Sequence, residues 1–256
     1  MIHPSAIVSP DARISPDAEV GPFTVIGAQV EIGPRSWIGP HVVINGQTSI
    51  GADNRIYQFA SIGANPQDKK YGGGPTRLQI GDRNVFREFC SINRGATPEQ
   101  GLTRIGNDNL FMAYTHVAHD CTLGNNIVMV NYAGLAGHVD LGDWVILSGY
   151  TGVHQFCKIG AHAFTAALSG VTRDVPPYIM AVGQPAVPHS INSEGLKRRG
   201  FAPEQIRNLR NAYRILYRSD QPLSAAVEQL SALVPTQPEL KPLVEFIAAS
   251  ERSLIR

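Results

Sequence analysis

A parallel β-solenoid closed off by a small helical domain is the fold that this sequence predicts. Three observations carry the prediction: a six-residue apolar period, a glycine bias locked to that period, and the loss of both after residue 188. Counting in sixes from Ile2 runs through Val8, Ile14 and Val20 to Ile62 without a miss. The count resumes at Ile80, Phe86 and Ile92, then continues one residue out of phase from Ile105 to Val171. Of these 26 hexads, only the one headed by Thr165 lacks a large aliphatic residue or Phe in first place, in a chain that is 43% apolar overall. Glycine takes second place in eleven hexads, among them Gly21, Gly33 and Gly81, and fifth place is mostly small, as at Ala18, Thr24, Ser36 and Ala60.

A period of six fits neither a 3.6-residue helix nor plain strand alternation. It suits a short extended segment followed by a corner, where glycine is expected to supply the unusual backbone angles. Three such segments close a coil of eighteen residues, and successive coils stack at the parallel-strand spacing of about 4.8 Å. The large residue of each hexad is expected inside the prism and the small one where the coil turns tightly.

Interruptions of a solenoid become loops on a face. Two are expected, at residues 65–79 (NPQDKKYGGGPTRLQ) and 93–104. After Pro188 helical patterns replace the period. Ile206, Leu209, Tyr213 and Leu216 make an apolar stripe, Arg207, Arg210, Arg214 and Arg218 a basic one, and Pro222 and Pro238 stand near two further helix starts. The expected division is a β-helix over residues 1–188 and a helical domain over 189–256.

The formal charge of +1 across 256 residues argues against a global nucleic-acid binder. No window approaches 18 apolar residues, and the first residues lack a basic segment leading into an apolar one. Neither a membrane anchor nor a secretory signal is expected, which leaves the cytoplasm as the default location. Cys90, Cys121 and Cys157 are too few and too scattered for a disulfide framework or a zinc cage. All three occupy fifth places, so they are expected to be core thiols, and a covalent thioester is disfavoured.

The eighteen-residue coil turns sequence offsets into contacts, because residues 18 apart share a corner in adjacent coils. His119 is followed by Gly137 and then Gln155, and Asp120 by His138, while His116 and His154 belong to the same neighbourhood. One edge is therefore expected to gather all seven. A histidine beside a carboxylate suits general-base work, since its unperturbed pKa lies near neutrality and the carboxylate stabilises the imidazolium. A glycine nearby lets a backbone N–H approach a reacting carbonyl as an oxyanion donor. Together they suit direct acyl transfer to an alcohol. Corner histidines can also simply bond neighbouring carbonyls, and three imidazoles suffice for zinc. Asp120 and Gln155 fit acyl transfer better, so no metal is expected.

Beyond the repeat, several strings narrow the comparison: IYQFASIG (56–63), PQDKKY (66–71), HVAHDC (116–121), LAGHV (135–139), VHQFCKIGAH (153–162), DVPPY (174–178) and NSEGLKRRGF (192–201). Through them the whole chain resembles the UDP-N-acetylglucosamine 3-O-acyltransferase family, hexapeptide-repeat enzymes that begin lipid A synthesis. The resemblance implies a left-handed coil, whereas parallel crossovers in general are right-handed. It implies transfer of an (R)-3-hydroxyacyl group from the 4′-phosphopantetheine arm of acyl carrier protein to the sugar's 3-hydroxyl, with no cofactor. His119 would be the base, Asp120 its orienting partner and Gly137 the oxyanion donor. His116 and His138 would position sugar and acyl groups, Asp68 and Lys70 would hold the sugar, and His154 and Gln155 would contact the nucleotide-sugar or the acyl chain. Asn192, Glu194, Arg198 and Arg199 would bind the UDP part.

Ala166, Ala167 and Leu168 would close the acyl groove, and subunits would form a homotrimer with sites in the clefts. The arginine stripe is a plausible surface for the acidic carrier protein. Two departures stand out: Asn93 where many relatives carry histidine, and Gly72-Gly73-Gly74 where an acidic residue often precedes Pro-Thr. Both touch binding rather than the base. The alternatives are a sibling N-acyltransferase or acetyltransferase of the same fold, a zinc-dependent hydratase, or a non-catalytic scaffold.

Overall fold

The structure, a computed structural model, describes residues 1–96 and 101–256, so residues 97–100 of the second expected loop lie outside the described residues. Short strands wind into three parallel sheets, the faces of a triangular prism. The first face runs from Ile7–Val8 to Gly170–Val171, the second from Arg13–Ile14 to Lys158–Ile159, and the third from Glu19–Val20 through Phe164–Thr165 to Ile179–Val182. The strand Val187–Ile191 adds to the third face in antiparallel sense. Registers such as His116↔Gly134↔Gly152 and Thr122↔Asp140↔Lys158 give the eighteen-residue step. The two insertions lengthen it, so that Ser61 pairs with Ser91 and Ser91 with His116.

First-place residues fill the interior: Ile26, Ile38, Ile56 and Ile62 are fully buried, and Phe86 stacks on Phe111 at 4.6 Å. The exception, Thr165, is buried too, and its hydroxyl meets that of Thr151 at 2.9 Å. Fifth-place side chains do more than save space. Thr24, Ser36 and Cys121 each reach the carbonyl of the second-place residue in the next coil, Gly39, Gly51 and Ala136. The buried amides of Asn54, Asn84 and Asn109 do the same to Gly81, Gly106 and Gly124. The small column is thus a column of donors that satisfies corner carbonyls.

The expected role of the second-place glycines needs correction. Of the eleven, Gly63 alone holds a left-handed angle (φ 74°); elsewhere that angle falls two residues later, on non-glycine residues such as Arg35 (φ 55°) and His138 (φ 60°). Glycine is required by stacking instead, because a side-chain carbon at Gly33 would lie 2.6 Å from the carbonyl of Gly51 in the next coil. The positions with positive φ form the vertices, which differ in chemistry. Between the first and second faces lie Asp120, His138 and Phe156, and both insertions leave the prism at this first vertex. The second vertex carries ion pairs, Arg35–Asp53 and Arg83–Asp108, then Trp144 and His162. The third is an aromatic ladder from Phe23 and His41 through Phe59, Phe89, Tyr114 and Tyr132 to Tyr150.

The helical part comprises α1 (Ser193–Arg198), α2 (Pro203–Tyr217), α3 (Leu223–Leu233) and α4 (Lys241–Ala248). Of the expected stripe on α2, Leu209, Tyr213 and Leu216 are buried and Ile206 is half-buried against the core, and the four arginines face solvent. The Tyr213 hydroxyl ties α2 to the prism by donating to the Pro188 carbonyl. No helix among the described residues is long and apolar enough to cross a membrane.

Overpacking of this kind costs about 1–3 kcal/mol. Gly33→Ala should therefore lower the denaturation midpoint, whereas Gly72→Ala, with nothing within 4 Å of the added carbon, should leave it unchanged.

Candidate active site

The first vertex assembles the site by stacking. His119 and Asp120 turn one coil, Gly137 and His138 the next, Gln155 and Phe156 the one after. His119 Nδ1 lies 2.9 Å from Asp120 Oδ2, so with an ionised carboxylate that nitrogen donates and Nε2 is left as an acceptor. Asp120 is fully buried, and its oxygens also accept the backbone N–H groups of Ala96 (3.0 Å) and Leu102 (3.2 Å). Those donors come from the second insertion. The His119 ring rests on the bare Cα of Gly137, where any side-chain carbon would fall 2.6 Å from Cε1 and 2.7 Å from Nε2. Among the described residues the Gly137 N–H donates to no protein group.

His138 meets His119 edge-on at 5.2 Å, lies 3.8 Å from Asp120 through Nε2, and is stacked by Phe156 at 4.5 Å. The two imidazoles are largely covered, with 15% and 18% of their side chains exposed. The ligand atoms of His119, Asp120 and His138 lie within 4.8 Å of one another, close enough to share a metal ion. His116 stands on the first face beside this vertex, 2.7 Å from the Ser91 hydroxyl through Nδ1, and burial pushes its pKa down. The first insertion bends back so that Gln67, Asp68, Lys69 and Lys70 face His119, His138, Gln155 and Phe156 across a groove of about 640 Å³. His154 is exposed next to it, its Nδ1 3.1 Å from the Gln155 carbonyl oxygen.

Arg94 joins the loop bases by donating to Thr76, the Gly63 carbonyl and the Tyr71 hydroxyl. Asn93 is buried, with its amide nitrogen on the Asn65 carbonyl and its Oδ1 unpartnered among the described residues. The exposed Gly73 (φ 86°) and Gly74 (φ 143°) hold angles that suit glycine.

Other expected site residues lie elsewhere on the same chain. Asn192 caps α1 and donates to the His162 carbonyl at the second vertex, where Arg199 donates to His162 Nδ1 and covers the Trp144 ring at 5.1 Å. Glu194 and Arg198 are exposed on the same short helix. Ala166, Ala167 and Leu168 sit at the third vertex, with Leu168 68% exposed.

One feature escaped the sequence reading. Along the outer side of the first face, the column above His116 is Gly134, Gly152 and Gly170, a strip without side chains that leads from His116 toward the coil of Ala166–Leu168. Adding eighteen to 116 would have revealed it.

The cysteines are buried as expected, and burial pushes the thiol of Cys121 up to about 12 and that of Cys157 to about 11. Both stay protonated near neutrality, and a thiol in that form is a poor nucleophile.

A family model described as UDP N-acetylglucosamine O-acyltransferase, domain 2, matches residues 174–255. An acyl-[acyl-carrier-protein]–UDP-N-acetylglucosamine O-acyltransferase of Janthinobacterium sp. (strain Marseille) is 58% identical over 260 aligned positions, covering 100% of this chain and 99% of the relative. The protein of that name from Herminiimonas arsenicoxydans is 55% identical with the same coverage. Among solved structures, UDP-N-acetylglucosamine O-acyltransferase from Moraxella catarrhalis superposes with a TM-score of 0.98 at 44% identity, covering 100% of this chain and 99% of that one.

Burial, reinforced by Arg199, pushes His162 down to about 4. The unfolded chain takes that proton near 6.5, so as pH falls from 6.5 to 4 the unfolded state binds more protons and stability is lost. The melting temperature should drop across that window, and the drop should be smaller in His162→Gln.

Proposed function

The chain belongs to the acyl-[acyl-carrier-protein]–UDP-N-acetylglucosamine O-acyltransferase family, and we propose how its first vertex performs the transfer. The protein moves an acyl group from acyl carrier protein to UDP-N-acetylglucosamine, the first step of lipid A biosynthesis. In our reading the acyl group is an (R)-3-hydroxyacyl chain and the acceptor is the sugar's 3-hydroxyl. His119 Nε2 takes the hydroxyl proton as the oxygen attacks the thioester carbonyl. Asp120 holds Nδ1 and stabilises the imidazolium. The free N–H of Gly137 faces the oxyanion. Collapse of the tetrahedral intermediate breaks the C–S bond, and His119 returns the proton to the departing thiolate. The step as written needs no metal and no cofactor of the protein's own. The observation that carries this reading is the His119 ring lying on bare Gly137, with its other nitrogen tied to a buried carboxylate.

Asp68, Lys70, His138 and Gln155 line the groove and would hold the sugar and the donor's carbonyl end. The glycine strip beside His116 offers a flat path for the acyl chain, ending at Ala166, Ala167 and Leu168. The exposed Arg207, Arg210 and Arg214 of α2, with Arg218 at its C-cap, offer opposite charge to an acidic carrier protein.

We further propose a homotrimer. Asn192, Glu194, Arg198 and Arg199 belong to the second vertex of the prism and His119 to the first, so one chain does not bring them to the same groove. A neighbouring prism would supply them. The third vertex supports association, since Phe23, Phe59, Tyr114 and Tyr150 are 47–60% exposed in the isolated chain. Parallel packing about a threefold axis covers such edges and closes.

His119→Ala should lower kcat by about 10²–10⁴ with the melting temperature unchanged, measured with 3-hydroxyacyl carrier protein and UDP-N-acetylglucosamine. Co-expressing His119→Ala chains with Arg198→Ala chains should restore activity that neither has alone, because mixed trimers contain clefts with both groups intact. Failure to restore it would remove the shared-cleft reading. A second reading, a metal ion on His119, Asp120 and His138, is favoured by their spacing. Transfer that persists in the presence of a chelator would dispose of it.

A further inference from the structure

Residues 249–255 run back over the prism and pass beside the groove. Their anchor is Asp174, 1% exposed, whose Oδ1 accepts the Lys158 backbone N–H and whose Oδ2 accepts the Ser250 hydroxyl. The Asp174 N–H donates to the Ser253 carbonyl, and its own carbonyl accepts the Ile255 N–H. The Lys158 ammonium donates to the Ala249 carbonyl, and Leu254 and Ile255 are buried. With both ends held, the segment extends Arg252 across to the carbonyl of Gln155.

That carbonyl belongs to the turn that forms one wall of the groove. Phe156, next in the chain, holds a left-handed backbone angle (φ 65°) with 49% of its surface exposed. That angle is common to the vertex positions and is set by the coil; what is particular to Phe156 is the contact its ring makes. Its ring stacks on His138, which in turn meets His119 and Asp120. An unbroken line of contacts therefore connects Arg252 to the imidazoles. The charged groups facing the same recess are Lys158, Asp174 and Glu251. Lys158 and Asp174 are engaged with the segment itself. Of the segment's two charged side chains in the recess, Glu251 and Arg252, it is Arg252 that bonds the Gln155 carbonyl, which His154 Nδ1 also approaches at 3.1 Å from within the turn.

We infer that Arg252 is a positioning residue: it fixes the Gln155–Phe156 turn, and through the Phe156 ring it holds His138 against Asp120. The segment 249–255 is then a strap that completes the active site rather than a mere seal on the helical domain. The inference rests on the groove being the transfer site.

The test uses the full-length protein with Arg252→Ala and Arg252→Lys. Because Phe156 stacks on His138, the His138 ring protons carry a ring-current shift that histidine-selective labelling resolves by NMR. In Arg252→Ala that shift should shrink, kcat should fall about tenfold or more, and the melting temperature should stay close to the parent's. Arg252→Lys, which keeps a cationic donor, should recover part of both. If Arg252→Ala does not fold, the same comparison is made with Arg252→Lys and Arg252→Gln. An unmoved His138 signal in a folded variant overturns the inference whatever the kinetics. A parent protein inactive toward both substrates would overturn the reading of the groove instead, and the NMR comparison would still decide the contact.

Discussion

Hydrogen bonding between coils, one parallel step per eighteen residues, is the constraint from which the other features follow. A two-residue strand pair is worth little alone, and each coil is bound only because the coils above and below satisfy its N–H and carbonyl groups. That ladder locks lateral register. Once Thr122 pairs with Asp140 and His116 with Gly134, the turn between them has no freedom to slide. His119 must then stand under Gly137 and Asp120 under His138. The chemistry at the first vertex is a consequence of a ladder that itself contains no catalytic group.

The same register separates the vertices by task. Aromatic rings repeat at the third vertex, ion pairs and then the dock for the helices at the second, and imidazoles with both insertions at the first. Since corner residues point away from the interior, each column is free to vary without disturbing the packed Ile and Phe column. A stiff prism also suits the proposed reaction, in which a base and a backbone donor must be held in place before substrate arrives.

Much of this was legible in the sequence, for one reason: strict periodicity turns separation along the chain into separation in space. The interior, the buried thiols and the pairing of His119 with Gly137 all follow from counting, whereas the ends of the expected loops do not, since Arg77–Ile80 and Leu102–Ile105 are strands. Readings that needed local backbone geometry fared worse. Gly33 and its counterparts looked like corner residues, yet the close approach of a carbonyl in the next coil, not an unusual φ, is what excludes a side chain there. Asn54 and Asn84 broke the small-residue rule because they serve as donors, a role invisible without knowing which carbonyls go unpaired. The contact of Arg252 with Gln155 obeys no period at all, because the chain leaves the solenoid and returns. Full-length relatives at 55–58% identity decide between the O-acyltransferase and its amine-acylating siblings, a choice that the corner residues alone left open.

The second insertion illustrates how the scaffold meets the demands of its site. A carboxylate as buried as Asp120 would be costly to keep ionised if the His119 N–H were its only partner. At the second vertex, corner N–H groups meet side-chain oxygens, as Ala52 does Asp82 and Asn125 does Asp143; at the first vertex the second insertion supplies such donors. By lengthening the coil beneath, the chain releases the N–H groups of Ala96 and Leu102 from regular pairing and aims both at Asp120. The Thr103 hydroxyl accepts the N–H of Asp120 itself, fixing the turn from below. An interruption of the repeat thus supplies the solvation that burial took away, and it does so one coil below the base, where it leaves the groove above His119 open to substrate.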